Sequence, residues 1–226
     1  MSKDVLNNLK LPEDVLDFLK EVDDLTKGYD IYLGGGFCRD LYYNELRRQE
    51  HYEAYKYDDY DLFITPLTPK DIDLFFVPNG LHVQELPTIP RSYVNYDKSA
   101  EEIPDMEERG VARVRGLFVP KLGISDVQFI VYKDFMSQQQ LAKDMDIGLN
   151  QVMMSVKTGE MFATEDFYKG HEDEYIEMLH TFDFVRMAKR VARMKAKFPD
   201  YSIEGDWNLG ELAYTISEHT GSFCDE

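Results

Sequence analysis

With 226 residues, 43% hydrophobic side chains, 15 tyrosines and 14 phenylalanines, the chain can bury a sizeable core, which excludes a disordered polypeptide although 30% of its residues are charged. A formal net charge of -18 excludes the surface as a whole as a sink for nucleic acid, because phosphate neutralisation dominates such binding, so any nucleotide or nucleic-acid site must be local. Cys38 and Cys224 provide neither a disulfide framework nor a metal-ligand pattern; residues 1–20 lack the apolar centre of a signal peptide, and no run reaches membrane-spanning length. A soluble protein of the reducing cytoplasm is expected, the host cytoplasm if the source is viral.

Val15, Phe18, Leu19, Val22 and Leu25 recur at helical spacing behind Pro12, which predicts an amphipathic helix over 13–26. Short strands are predicted at 30–33 ("DIYL") and 60–64 ("YDLFI"). Between them lie a glycine turn, a helix near 37–48 and a polar, tyrosine-rich connection. "TPKDIDLFF" at 68–76 predicts a helix starting at Pro69, with Thr68 as N-cap and Asp71 in the first turn. From 87 to 110 the chain is polar and acidic and reads as an insertion or long loop.

"VARVRGLFV" and "ISDVQFIVY" flank the turn-like "PKLG", and their β-branched and aromatic content predicts an antiparallel hairpin over about 111–132. "NQVMMSV" fits a strand or the end of a helix equally well. In "FDFVRMAKRVARMKAKF", Phe184, Met187, Ala188, Val191, Met194 and Phe198 share one helical face. Arg186, Lys189, Arg190, Arg193 and Lys197 share another, a basic stripe on an acidic protein. No internal repeat or low-complexity tract is present.

Two constellations carry possible chemistry. A strand, a glycine turn (Gly34, Gly35, Gly36) and a helix start place free backbone N–H groups in one spot and let a phosphate approach the backbone, although a tight turn packing a helix on a sheet has the same pattern. On a strand, Asp59 and Asp61 point the same way, and Asp126 joins them if the two strands are neighbours. Like charges about 4 Å apart repel by roughly 4 kcal/mol at an effective dielectric near 20, so such a cluster calls for cations. Oxygen donors favour Mg²⁺ or Mn²⁺, and two such ions can activate a hydroxyl and neutralise a leaving pyrophosphate. The alternative is that Asp58, Asp59 and Asp61 are an acidic surface run in a chain with 43 acidic residues.

"LGGGFCRD" followed by "DDYDLFI" resembles the signatures of the DNA polymerase β nucleotidyltransferase superfamily, in particular its tRNA CCA-adding enzyme and bacterial poly(A) polymerase branch. Gly35, Gly36, Arg39 and Asp40 match the glycine motif in order, and Asp59 and Asp61 match the metal carboxylates. Asp146, Asn150, Thr158, Gly159 and Glu160 fall in register with a later motif, and Asp183 and Arg186 match the start of the neck helix. The sequence departs from the branch in a longer connection before Asp59, in Met145 and Gly148 where Arg and Thr are usual, and in arginines shifted to Arg190 and Arg193. A full CCA-adding enzyme also carries helical neck, body and tail domains, and the resemblance implies that this sequence reaches about as far as the neck. The similarity covers about residues 29–200, and the order of motifs is also similar to that of short bacteriophage nucleotidyltransferase-like proteins.

The resemblance implies an α+β fold: a small mixed or antiparallel sheet with flanking helices, followed by a short helical C-terminal region. It implies a catalytic domain over 1–165 with an insertion near 87–110, and a neck-like extension over 166–226. The implied activity is transfer of a nucleoside monophosphate from a nucleoside triphosphate to a hydroxyl acceptor, by default a tRNA-like or other RNA 3′ end. Asp59, Asp61 and Asp126 would be catalytic and hold Mg²⁺ or Mn²⁺; Gly34, Gly35, Gly36, Arg39, Arg186 and Arg190 would bind the nucleotide. Asp40, one turn into the helix, is expected to fix the loop rather than hold metal.

His51, His82, His171, His180 and His219 have no metal-ligand spacing and read as surface residues, while Tyr52, Tyr55, Tyr57 and Tyr60 fit packing better than base stacking. Two rival readings remain compatible with the sequence. One is a nucleotidyltransferase-like scaffold without turnover that binds a partner; the other is an antitoxin-like protein that uses its negative charge to bind a basic partner.

Overall fold

A short, largely buried strand organises the molecule. In the computed structural model, which describes residues 3–6, 9–25, 29–49, 54, 57, 59–65, 94–99, 108–119, 124–180, 184–205 and 214, strand β1 (Asp30–Gly34) has four buried residues in succession and lies inside a seven-stranded sheet. Before it come helices α1 (Lys3–Leu6) and α2 (Glu13–Leu25); after it come α3 (Gly36–Gln49) and strand β2 (Asp59–Thr65). Next are β3 (Val94–Ser99), β4 (Val111–Val119), β5 (Ile124–Tyr132), α4 (Gln138–Lys143), a 3-10 turn at Gly148–Asn150, β6 (Val152–Ser155) and β7 (Met161–Ala163). Helix α5 (Glu165–Glu172), β8 (Tyr175–Glu177), α6 (Phe184–Lys197) and β9 (Ser202–Glu204) complete the described chain.

The sheet order is β3-β4-β5-β2-β1-β6-β7. All neighbours are antiparallel except β2 and β5, which run parallel because the chain crosses over through β3 and β4 between them. Period-2 alternation then sorts the side chains onto two faces. Ile31, Leu33, Leu62, Ile64, Phe129 and Val131 join α2, α3, α5 and α6 in one apolar cluster. Tyr32, Phe63 and Ile130 point the other way and pack with Leu141, Ala142 and Met145 of the α4 region. This is an α+β fold with a mixed sheet flanked by helices, as the resemblance implies.

The expected helices at 13–26, 37–48 and along the basic stripe, the strands at 30–33 and 60–64, and the hairpin over 111–132 are all present within a residue or two. "NQVMMSV" resolves as a 3-10 turn leading into β6, which is buried without alternation because both of its faces are covered: Val152 and Met154 belong to one apolar cluster and Met153 to the other. The stretch 87–110 is not all loop: Val94–Ser99 forms β3, held by antiparallel pairing to β4 rather than by any apolar pattern of its own. The C-terminal region is not purely helical either, since β8 and β9 form a separate two-stranded parallel sheet. The helix expected from Pro69 lies outside the described residues. Among the described residues no helix is long and apolar enough to cross a membrane.

Candidate active site

The glycine turn joins the end of β1 to α3. Gly34 is registered against Asp61 across the β1–β2 ladder, so strand pairing itself brings the turn beside the carboxylates. Gly35 sits at φ 65°, in the left-handed region that side chains with a Cβ disfavour, and a Cβ there would lie 3.3 Å from Asp61 Oδ2. At Gly34 a Cβ would come within 2.9 Å of Met153 Cε, so close packing with β6 accounts for that glycine. The Gly35 carbonyl accepts from the Arg39 N–H at 3.1 Å, the first backbone bond of α3.

A cleft of about 520 Å³ opens at this turn, lined by Gly36, Phe37, Asp59 and Asp61 on one side and by Arg190, Arg193, Met194 and Lys197 of α6 on another. Arg39, Asp40, Ile147 and Asn150 complete much of the wall. Asp59 is exposed and Asp61 half-buried, two residues apart on β2 and on the same side of the strand. Asp59 is in register with Asp126 on the parallel neighbour β5, so the adjacency on which a third carboxylate depends exists at the level of the backbone. The side chains of Asp126 and of Arg186, which falls within α6, lie outside the described residues. Among the described residues no group of three His, Cys, Asp or Glu side chains forms a metal cluster.

Behind the turn is a buried ionic network. The Arg39 guanidinium donates through Nε to Asp40 Oδ1 at 2.8 Å, with Nη2 2.7 Å from the same oxygen. Its Nη1 donates to Asn150 Oδ1 at 2.6 Å and contacts the Met194 sulfur at 2.9 Å, and the group sits 5.8 Å from the Phe198 ring centroid. Asp40 Oδ2 accepts from Lys197 Nζ at 2.6 Å. Both Asp40 oxygens are therefore taken by cations, consistent with a structural carboxylate. Arg190 Nη1 donates to Asp146 Oδ2 at 2.5 Å, while the buried Asp146 Oδ1 has no hydrogen-bond partner.

Phe37 packs 4.5 Å from the Tyr60 ring and 4.7 Å from Tyr57, so these two tyrosines pack beneath the helix start; Tyr52 and Tyr55 lie outside the described residues. Burial pushes the Tyr60 hydroxyl above its ordinary range, with Asp14 and Tyr57 adding to the shift. Burial likewise raises the Cys38 thiol, which donates to the Leu33 carbonyl at 3.1 Å. His171 is not an open-surface residue, since its ring meets Tyr42 and Tyr43 edge-on at 5.2 and 4.9 Å; His180 is exposed, and the other three histidines lie outside the described residues. Arg193 and Lys197 enter the site although the sequence singles out Lys197 only as a member of the basic stripe and Arg193 only as a member of that stripe and as a shifted counterpart of a family arginine. Their spacing from Arg190, three and seven residues on, is the signal that puts all three on one helix face.

No family model matches the sequence, and no curated protein matches it significantly. Solved structures do. A Thermotoga maritima CCA-adding enzyme complexed with tRNA is similar at 17% identity and a TM-score of 0.55, over 96% of this chain and 45% of that one. A tRNA-processing enzyme in an apo form is similar at 17% identity and a TM-score of 0.53, over 94% of this chain and 48% of that one. The chain has the nucleotidyltransferase fold. A CCA-adding enzyme in complex with CTP is also similar, at 15% identity and a TM-score of 0.50, over 96% of this chain and 46% of that one. The chain thus spans just under half the length of these structures. Within the nucleotidyltransferase fold found here, the glycine turn, β2 and α6 meet at a single cleft.

Proposed function

We propose that the cleft is the active site of a metal-dependent nucleotidyltransferase that moves a nucleoside monophosphate from a nucleoside triphosphate to a hydroxyl, with a tRNA-like RNA 3′ end as acceptor. The observation that carries this reading is the register of Gly34 with Asp61, which sets the glycine turn against a carboxylate pair in a cleft that α6 lines with cations. The likeness to CCA-adding enzymes with bound tRNA and CTP supports the substrate classes.

The donor chemistry fits a hard divalent ion. Asp59 and Asp61 supply carboxylate oxygens from alternate strand positions, and Asp126 is the candidate third ligand by its register with Asp59. Mg²⁺ or Mn²⁺ bound there would lower the pKa of the acceptor hydroxyl and offset the charge of the departing pyrophosphate. In the transfer, the acceptor oxygen attacks the α-phosphorus, the bond to the bridging oxygen of the β-phosphate breaks, pyrophosphate leaves, and the hydroxyl proton goes to solvent. Gly34, Gly35 and Gly36 let the phosphates approach the backbone. Arg39 braces that turn against α6 through Asp40, which also holds Lys197, and against the 3-10 turn through Asn150; Arg190 lines the cleft while paired with Asp146, and Arg186 is a nucleotide-binding residue by the resemblance.

The test is incubation of the purified protein with each radiolabelled nucleoside triphosphate, Mg²⁺ or Mn²⁺ and mixed tRNA, beside an Asp59→Ala, Asp61→Ala double variant. Label entering RNA with the wild type and not with the variant is the expected result. Absence of both transfer and metal-dependent triphosphate binding would replace this reading with the scaffold reading.

A further inference from the structure

A second ionic station lies outside the cleft, behind the pair of Asp146 with Arg190. Arg109, in the turn before β4 and largely buried, donates through Nε and Nη2 to Asp144 Oδ2 at 3.0 and 2.9 Å, and through Nη2 to the Asp144 carbonyl at 2.9 Å. Asp144 is the C-cap of α4, and its carboxylate also bonds the hydroxyl of the buried Tyr132. Burial opposes the Arg109 charge, but Asp144, Tyr132 and Asp146 outweigh it and hold the guanidinium above its ordinary value. Arg109 therefore feels both carboxylates of the Asp144–Asp146 turn.

That turn carries two carboxylates on three residues, each gripped by a guanidinium from a distant element: Asp144 by Arg109 and Asp146 by Arg190. The segment has little room to give. Gln151 Nε2 donates to the carbonyls of Lys143 and Met145 at 3.1 and 3.2 Å, the Asp146 carbonyl accepts from the Leu179 N–H at 2.8 Å, and Met145 is buried in the second apolar cluster. Carboxylates on so fixed a turn cannot separate, so the loss of one guanidinium leaves both of them to the other.

Of these four charged groups, Arg190 is the one that lines the cleft. Without Arg109 it would be drawn between two carboxylates, away from the cleft wall. We propose that Arg109 is a positioning residue of the cleft: by neutralising Asp144 it leaves Asp146 as the single carboxylate of Arg190, and so keeps that guanidinium at the wall. The role rests on the nucleotidyltransferase reading of the same cleft, and it falls to a residue of the stretch 87–110 that sequence pattern marks only as an insertion.

The experiment combines urea denaturation with calorimetric titration of Mg²⁺–ATP on the full chain. The variants are Arg109→Met, Arg109→Lys, Arg190→Met, and Arg109→Met combined with either Arg190→Met or Asp144→Asn. Removing both guanidinium groups should lower the folding constant by at least about 2-fold more than the product of the two single losses, because each single variant keeps one cation for the two carboxylates. Arg109→Met should weaken Mg²⁺–ATP binding by about 3- to 10-fold, within the range for residues that act on a site without touching its ligand, and Arg109→Lys by less than about 3-fold. Adding Asp144→Asn to Arg109→Met should restore binding to within about 2-fold of wild type. A plain brace between β4 and α4 would stay broken in that variant, so the rescue separates charge balance from support of the fold.

Folding losses that simply multiply would overturn the proposal, as would wild-type-like Mg²⁺–ATP binding in Arg109→Met or the absence of rescue by Asp144→Asn. Were Arg109→Met not to fold, the double variant with Asp144→Asn decides: it should fold and bind as the wild type does, and failure in either respect would overturn the proposal. A wild type that binds no Mg²⁺–ATP while the folding constants stay coupled would sink the nucleotidyltransferase reading and leave the hold of Arg109 on Arg190 standing.

Discussion

Gly35 links backbone conformation to the site, and replacing it with alanine separates the two contributions when Gly159 serves as reference. Gly159, in the turn between β6 and β7, has φ 71° and nothing within 4 Å of an added Cβ. Its substitution therefore meets backbone strain alone, about 1–2 kcal/mol for a left-handed L-residue, reduced by up to about 1 kcal/mol because alanine also restricts the unfolded chain. Gly35 has nearly the same φ of 65°, but its Cβ would stand 3.3 Å from Asp61 Oδ2, so the carboxylate must give way by a few tenths of an ångström. Gly159→Ala should lower the melting temperature by about 2–4 °C per kcal/mol of net strain, and Gly35→Ala by at least as much. Only Gly35→Ala should weaken Mn²⁺–ATP binding, because only there does the added methyl displace a carboxylate of the cleft. Far-UV circular dichroism melts and calorimetric titration of Mn²⁺–ATP provide the two readouts. An unchanged melting temperature for Gly35→Ala, or equal effects of the two variants on binding, would refute the argument.

Asp40→Ala leaves the buried Arg39 and the largely buried Lys197 without their shared carboxylate, and should cost about 3–5 kcal/mol in urea denaturation; Lys197→Met should cost less, since Asp40 keeps Arg39. Burial raises the Glu177 carboxyl above its ordinary value, with Asp166 and Glu204 adding to the shift. In the window between its unfolded and folded values the native state holds more protons, so this group makes stability fall as pH rises. Glu177→Gln should therefore raise the melting temperature at about pH 7 and lose that advantage towards about pH 4; a gain that does not depend on pH would refute the assignment. Cys38 is fully buried and its thiol pushed up, so peptide mapping after iodoacetamide treatment should find it unmodified in the native protein and alkylated in urea.

The parts of the fold legible in the sequence are those set by local pattern. The apolar positions of α2 and α6, the strand–glycine–helix passage through Gly34–Gly36 and the β4–β5 hairpin all declare themselves within a dozen or so residues of chain. β3 does not, because nothing in its own composition marks Val94–Ser99; its pairing with β4 makes it a strand. β6 fails for the opposite reason, since burial on both faces removes the alternation that separates a strand from a helix end. At the site, Asp59 and Asp61 are legible as a strand pair, and their neighbour β5 enters as a condition that the parallel register meets. The basic stripe is legible as a stripe. That Lys197 reaches back 157 positions to Asp40, and Arg190 reaches 44 to Asp146, is tertiary information that no spacing along the helix encodes.

Those two ties bear on where the folding unit ends. Phe167, Ile176, Met187, Ala188, Val191, Met194 and Phe198 belong to the same apolar cluster as Val15, Leu33, Leu41 and Leu62, so a chain stopped at residue 165 would expose the far side of that cluster to water. It would also strip Asp40 of Lys197 and Asp146 of Arg190, and remove Arg193 with them. Each large apolar side chain lost from such a contact forfeits about 1.5–3 kcal/mol, and several are lost together, against a total stability of about 5–15 kcal/mol for an ordinary domain. A 1–165 fragment should then keep much of its secondary structure but bind a hydrophobic dye and unfold without a cooperative transition, whereas the full chain melts cooperatively. A fragment that melts cooperatively and excludes the dye would mean that the sheet and its N-terminal helices hold the core unaided. In that event α6 would be an attachment to the cleft rather than part of what forms it.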